Sequence, residues 1–118
     1  MKRYVVDGGT AVLTGAASGI GRATARELSA RGSNFVLLDR DAAGLEAVAA
    51  ELRAARRDRQ VTTYVVDLSD RDSALAVAET IRDNHPHLHL LVNNAGVALS
   101  GRLDQVSLDD IDWVLSIN

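Results

Sequence analysis

The fold is constrained most by short apolar runs that alternate with longer helix-forming segments, a pattern repeated four times along the 118 residues. Each run has the length and composition of a buried β-strand; the runs are residues 10–14, 34–39, 61–66 and 88–92. Strands that alternate with helices form parallel sheets covered by helices on both faces. The sequence therefore predicts one α/β domain over residues 1–118.

Start and stop signals bound the predicted helices. The first helix should run from about residue 20 to 31, ahead of Gly32. The other boundary signals are Asp41 as an N-cap, the capping boxes Ser69-x-x-Asp72 and Ser107-x-x-Asp110, and Pro86 as a stop. Spacing of i, i+3, i+4, i+7 predicts buried faces on the second and third helices. These faces comprise Leu45, Val48, Ala49 and Leu52, and Ala74, Val77, Ala78 and Ile81.

Composition and charge argue against several classes of function. The chain has no cysteine, which excludes disulfides and thiolate metal sites and fits a reducing cytoplasm. Its net charge of −3 offers no attractive field for nucleic acid. No apolar run approaches the about 20 residues of a membrane helix, and the N-terminal residues lack a signal-peptide core. We expect a cytoplasmic protein that binds neither nucleic acid nor a membrane.

Two side-chain clusters have alternative interpretations. Four arginines fall where the second helix should end, and cations favour that end of a helix, so nucleic-acid binding is the weaker interpretation. These are Arg53, Arg56, Arg57 and Arg59. A metal site is conceivable at His85, His87 and His89, but no cysteine is available and the segment begins a strand. We interpret the histidines as surface residues and predict no metal site.

A glycine-rich stretch, TGAASGIG, joins the first strand to the first helix. Such a turn lets phosphates approach the backbone and the free N–H groups of a helix N-terminus. Gly15 would make the tight exit from the strand, Gly19 would admit a pyrophosphate, and Gly21 would let the helix pack closely, while Thr14 and Ser18 could add hydroxyl hydrogen bonds. The spacing matches neither G-x-x-x-x-G-K-[ST] nor G-x-G-x-x-G. An ordinary turn with a close helix contact remains the alternative.

Polar residues follow each of the other predicted strands. Asp39 ends the second strand, where an acid can bind the ribose hydroxyls of adenosine. Asp67 follows the third strand, and the sequence Asn-Asn-Ala-Gly at 93–96 follows the fourth. Helix capping and a simple turn are the alternative interpretations. Because all these residues fall at the carboxyl edge of a parallel sheet, we expect a ligand site there.

On these motifs the chain resembles the short-chain dehydrogenase/reductase family. The resemblance covers about residues 9–118 and rests on the loop T-G-x-x-x-G-x-G, the segment N-N-A-G and the pair Asp67-Leu68, which flanks the adenine ring in the family. It implies a Rossmann-type sheet with strand order 3-2-1-4 and hydride transfer between a nicotinamide and a small carbonyl or alcohol substrate. It also implies a homodimer or homotetramer at full length.

The resemblance assigns most of the polar residues to an NAD(P) site. The implied cofactor-binding residues are Thr14, Gly15, Ser18, Gly19, Ile20, Gly21, Asp39, Arg40, Asp67, Leu68, Asn94, Ala95 and Gly96. Asp39 favours NAD because its charge repels a 2′-phosphate, whereas Arg40 could hold that phosphate, so NADP stays possible.

The proton donor of the family, a tyrosine with a lysine four residues on, is missing. Gly8 follows Tyr4 at that spacing, Leu68 follows Tyr64, and the chain's single lysine is Lys2. We therefore expect an N-terminal portion of a longer enzyme that is inactive alone.

Asn118 corresponds by resemblance to a catalytic asparagine that holds a proton-relaying water. It falls on a predicted buried stripe with Ile111, Val114 and Leu115; fraying of the helix, with Asn118 only as a cap, is the alternative.

Two other functions use a similar half-domain. A non-catalytic nucleotide-binding regulator would lack the Ser and Tyr-x-x-x-Lys residues altogether. A methyltransferase also places an acid after the second strand, although the Asn-Asn-Ala-Gly segment argues against it.

Overall fold

The computed structural model describes residues 4–97, 102 and 104–118. Its strands are β1 (Thr10–Thr14), β2 (Asn34–Asp39), β3 (Val61–Val65) and β4 (Leu90–Val92). Its helices are α1 (Gly19–Ala30), α2 (Ala42–Ala55), α3 (Arg71–Asn84) and α4 (Leu108–Ile117). All strand pairs are parallel and the order is β3-β2-β1-β4, which confirms the predicted fold class and the strand order implied by the resemblance.

Side chains of the central strands alternate between the two faces of the sheet, as the strand period of two requires. On one face Leu13 and Phe35 pack with Leu45 and Leu52 of α2 and with Ala25 of α1. The opposite face carries a smaller cluster, in which Val12, Val36 and Leu38 pack with Val66 and with Ile81 of α3. The apolar strand sequences are therefore explained by burial on both faces.

The β4 strand begins two residues later than the sequence predicts. Pro86 has no N–H to donate, and Leu88 is exposed. At His89, the imidazole accepts a hydrogen bond that a backbone carbonyl would accept in a regular strand pair: Thr10 N–H donates to His89 Nδ1 at 3.0 Å. The β3 strand likewise ends at residue 65 instead of 66.

Two of the three predicted N-caps are confirmed. Asp41 accepts from Gly44 N–H, and Ser107 accepts from Asp110 N–H at 3.1 Å. The capping box predicted at Ser69 and Asp72 is wrong. Asp70 caps α3 by accepting from Ser73 N–H at 3.2 Å. Ser69 instead lies in the turn before the cap, since Ser69 N–H donates to Asp67 Oδ1 at 2.9 Å and Asp70 N–H donates to Asp67 O at 3.1 Å.

The buried faces of the helices agree with the sequence only where another element covers them. All four predicted residues of α2 are buried. In α3, Ile81 is buried but Ala78 is exposed. The stripe predicted for α4 is wrong, since no residue of α4 is buried and Leu115 is 72% exposed. Helical periodicity identifies an apolar face, whereas its burial depends on neighbouring elements.

The two charged clusters make contacts within the fold. Arg53 pairs with Glu46 and donates to Val61 O, which joins the end of α2 to β3, and Arg59 pairs with Asp7, which joins the loop before β3 to the N-terminal segment. His85 Nε2 lies 3.1 Å from the hydroxyl of Tyr64. Among residues 4–97, 102 and 104–118, no group of three or more metal-ligating side chains is gathered. Within the same residues, no helix combines the length and apolar character needed to cross a bilayer.

Candidate functional site

A cavity of about 380 Å³ opens at the carboxyl edge of the sheet. The strand register explains why the motifs meet there: Thr14 pairs with Leu38, and Leu13 pairs with Val92, so the segments that follow β1, β2 and β4 leave the sheet together. The predicted residues that line the cavity are Gly15, Ser18, Ile20, Asp39, Arg40, Asp67, Leu68, Asn94, Ala95 and Gly96.

The glycine-rich loop has the backbone geometry that only glycine adopts without strain. Gly15 and Gly19 have φ angles of +66° and +58°. A Cβ on Gly19 would point into open space, so the backbone there is accessible to a ligand. A Cβ on Gly21 would instead collide with the Gly15 carbonyl and would lie 2.6 Å from Asn94 Nδ2. Gly21 therefore allows α1 to begin against the loop, as the sequence predicts.

The N-terminus of α1 is suited to an anion. Ser18 is its N-cap residue, and no hydrogen bond from the helix backbone occupies the Ser18 side chain. The first backbone N–H groups of a helix have no partner within the helix. The first turn of α1 contains no acidic residue, whereas α3 and α4 carry Asp72, Asp109 and Asp110 at this position. Dipole, free donors and an open hydroxyl therefore coincide where a pyrophosphate would lie.

Two carboxylates face the same cavity from β2 and from the segment after β3. Asp39 is half-buried, and its two oxygens accept from Ala17 N–H at 2.9 Å and Asp41 N–H at 3.0 Å. Asp67 is exposed and accepts from the hydroxyl and the N–H of Ser69. These hydrogen bonds, with a smaller contribution from the charge of Arg40, hold the pKa of Asp67 below its usual range. Asp67 is therefore an ionised acceptor at neutral pH.

Thr14 connects β1 to the Asn-Asn-Ala-Gly segment. Its hydroxyl oxygen accepts from Asn94 N–H at 3.1 Å and Ala95 N–H at 2.9 Å, and it approaches Val92 O at 3.4 Å. Asn94 Nδ2 in turn donates to Gly15 O at 3.1 Å. The structure thus turns the Thr14 hydroxyl towards β4. Thr14, Gly19 and Gly21 do not line the cavity, and their contribution to cofactor binding stays a prediction.

Asn118 lies beside the cavity, and its side-chain amide makes two hydrogen bonds to the backbone of Val97. Val97 N–H donates to Asn118 Oδ1 at 2.8 Å, and Asn118 Nδ2 donates to Val97 O at 2.8 Å. Its own N–H donates to Val114 O, so Asn118 also caps the C-terminus of α4. The side chain therefore clamps the segment that follows the Asn-Asn-Ala-Gly motif. Its predicted catalytic role stays a prediction.

Four apolar residues of the lining were missed from the sequence. They are Leu38, Val66, Val97 and Ile117. Leu38 and Val66 lie directly before strand-end polar segments, so the position of the strand ends could have indicated them. Val97 and Ile117 each adjoin a motif residue, but no periodic pattern marks them as lining.

A glycine-rich strand–helix turn, an acid at the end of the second strand and a cavity at the carboxyl edge of a parallel sheet define a dinucleotide-binding domain of the Rossmann type. The family described as short chain dehydrogenase matches residues 9–118. The chain belongs to the short-chain dehydrogenase family, whose members use NAD(P).

Relatives and solved structures agree with this assignment. Retinol dehydrogenase 12 of Mus musculus is 43% identical over 94 residues, which cover 80% of this chain and 30% of the relative. A metagenomic short-chain oxidoreductase solved with NADP is 37% identical, with a TM-score of 0.85 over 94% of this chain and 50% of that one. A short-chain dehydrogenase/reductase of Burkholderia phymatum solved with NAD is 36% identical, with a TM-score of 0.86 over 98% of this chain and 40% of that one. The chain thus spans half or less of the length of each.

Proposed function

We propose that the chain is the cofactor-binding portion of an oxidoreductase that transfers a hydride between a nicotinamide and a small carbonyl or alcohol substrate. The observation that carries the proposal is that the glycine-rich loop, Asp39, Asp67 and residues 94–96 converge on one cavity. Family membership supports the redox chemistry. NAD(P) would supply the hydride carrier, and the residues of this chain would bind and orient it.

The cavity fits a dinucleotide along its length. The pyrophosphate would bind the N-terminus of α1 and the Ser18 hydroxyl, because donors are free there and no acid repels it. The adenosine ribose would meet Asp39, and the adenine would lie beside Asp67 and Leu68. The nicotinamide end would then reach residues 94–96, next to Asn118.

We further propose that NAD is preferred over NADP. A 2′-phosphate beside the Asp39 carboxylate would face a like charge, which costs up to several kcal/mol. Arg40 lines the cavity and partly offsets that repulsion, and relatives have been solved with either cofactor. In the full-length enzyme, kcat/KM should be higher with NADH than with NADPH, and Asp39→Ala should lower that ratio. Steady-state kinetics with both cofactors measure it; a higher value with NADPH in the wild type would contradict the proposal.

Proton transfer needs residues outside these 118, which contain no Tyr-x-x-x-Lys sequence. We therefore propose that the chain is the N-terminal portion of a longer cytoplasmic enzyme that assembles as a homodimer or homotetramer. The share of each relative that the chain spans supports the greater length.

Calorimetric titration of the full-length protein with NADH, NADPH and S-adenosylmethionine tests the proposal. Binding of a nicotinamide cofactor together with turnover of an alcohol or carbonyl compound is the expected result. Binding of NADH without turnover of any such compound would favour the regulator. Binding of S-adenosylmethionine alone would favour a methyltransferase and overturn the proposal.

A further inference from the structure

We infer that the Asp39 carboxylate positions the glycine-rich loop through the N–H of Ala17, in addition to the ribose contact proposed above. This inference rests on the proposed function only in that the loop is taken to hold the cofactor phosphates. It makes one side chain responsible both for the choice of cofactor and for the shape of the phosphate site.

The contact reaches across two neighbouring strands. Asp39 ends β2, and Ala17 lies in the loop between β1 and α1; Ala17 N–H donates to Asp39 Oδ2 at 2.9 Å. Ala17 is only 8% exposed, so its N–H has little access to water as an alternative partner. The neighbouring N–H, from Ala16, donates at 3.2 Å to the backbone carbonyl of Leu38. The end of β2 therefore holds both loop amides. The backbone of Leu38 holds the Ala16 N–H, and the side chain of Asp39 holds the Ala17 N–H.

The second carboxylate oxygen holds the start of the next helix. Asp39 Oδ1 accepts from Asp41 N–H at 3.0 Å, and Asp41 Oδ1 accepts from Gly44 N–H at 3.0 Å as the N-cap of α2. The loop before α1 and the turn before α2 are therefore joined through one carboxylate. A Cβ on Gly44 would lie 3.2 Å from the Ala17 Cβ, which shows how closely the two segments approach.

Both roles are compatible in one side chain. An ionised carboxylate offers about four lone-pair sites, and the two backbone N–H groups use one on each oxygen. Ribose hydroxyls can use the others without releasing Ala17. Hydrogen bonds to a charged acceptor are roughly twice as strong as neutral ones, so loss of the carboxylate should be felt in the loop even without cofactor.

Amide hydrogen exchange measured by NMR on the cofactor-free, full-length protein tests the inference. Asp39→Ala should accelerate exchange at Ala17 by at least about tenfold, because a buried N–H loses a charged acceptor. Exchange at Ala16, which is bonded to a backbone carbonyl, should stay within about twofold. Asp39→Asn keeps an oxygen at the same position without the charge and should give an intermediate rate at Ala17, which is a partial rescue.

Asp70→Ala is the matched control. Asp70 is also a carboxylate that accepts from a backbone N–H, but it caps α3 and lies outside the cavity lining. This variant should leave the exchange rate of Ala17 unchanged. An Ala17 rate within twofold of wild type in Asp39→Ala, or in Asp39→Asn if the alanine variant does not fold, overturns the inference. Failure of the wild type to bind NADH or NADPH would instead overturn the proposed function and leave the exchange result standing.

Discussion

At the scale of single residues, polar side chains that are predicted to bind a ligand also form hydrogen bonds to the backbone around the cavity. The side-chain amide of Asn118 both accepts from and donates to the backbone of Val97, and the carboxylate of Asp39 accepts from the N–H groups of Ala17 and Asp41. A buried or half-buried polar group without a partner costs about 1–3 kcal/mol. Side chains predicted to bind a cofactor or water therefore also satisfy the backbone around the cavity.

Replacement of Asn118 by leucine in the full-length enzyme should lower kcat by ~10²-fold or more, the range of a disrupted acid–base relay. Both hydrogen bonds to Val97 would be lost, so the segment that follows the Asn-Asn-Ala-Gly motif would also lose its clamp. Cofactor affinity should barely change, because Asn118 itself does not line the cavity. Steady-state kinetics and cofactor titration separate the two effects.

A matched control for this substitution is Leu115→Ala, on the same helix. Leu115 does not line the cavity, so its truncation should leave kcat unchanged. An Asn118→Leu variant with wild-type kcat, or with a defect confined to NAD binding, would refute the catalytic role.

At the scale of the elements, the Thr14 hydroxyl connects β1 to the segment after β4. Thr14 accepts from the N–H groups of Asn94 and Ala95 and is 8% exposed. Since the Asn94 side chain donates to Gly15 O, the glycine-rich loop and the Asn-Asn-Ala-Gly segment form one hydrogen-bonded unit.

Thr14→Val should destabilise the full-length protein by about 1–3 kcal/mol, because it keeps the side-chain volume but removes the acceptor of two backbone N–H groups. The measurement is the free energy of unfolding in urea. Thr80→Val is the control, since the Thr80 hydroxyl donates to Ala76 O on the exposed surface of α3, and it should stay within about 0.5 kcal/mol of wild type. Equal losses in the two variants would show that Thr14 has no special role.

In the sequence, apolar runs identify the strands and helices, and the shared carboxyl edge of parallel strands indicates where the site lies, whereas the strand order and much of the cavity lining are implied by the family resemblance. The predictions that were wrong concern a helix cap and a buried helix face, and both depend on neighbouring residues or elements. Ser69 has the cap signature, but it lies in a turn closed by hydrogen bonds to Asp67, so the helix begins one residue later and Asp70 is the cap. Leu115 continues an apolar stripe, but no neighbouring element buries it. The contacts of Asp39 with Ala17 carry no local sequence signal, because they join residues 22 positions apart.

At the scale of the whole molecule, the sheet has an apolar side that the described residues leave uncovered. Leu91 in β4 is 59% exposed, and Leu88 just before it is 43% exposed. Both residues line a groove between α3 and β4, together with other apolar side chains such as Val77 and Ile81. Exposed apolar strand edges of this kind promote association with other chains.

The 118 residues expressed alone should therefore show no dehydrogenase turnover and should self-associate. Turnover is absent because no Tyr-x-x-x-Lys sequence supplies the proton, and association follows from the uncovered β4 edge. Light scattering and an NADH absorbance assay with a panel of alcohols measure the two outcomes. Leu91→Lys places a charge on the exposed edge and should reduce association without restoring turnover, which separates the two causes. Measurable oxidation of any alcohol by the 118 residues would show that this chain already contains a proton-transfer group, and the expectation of an inactive segment would then be wrong.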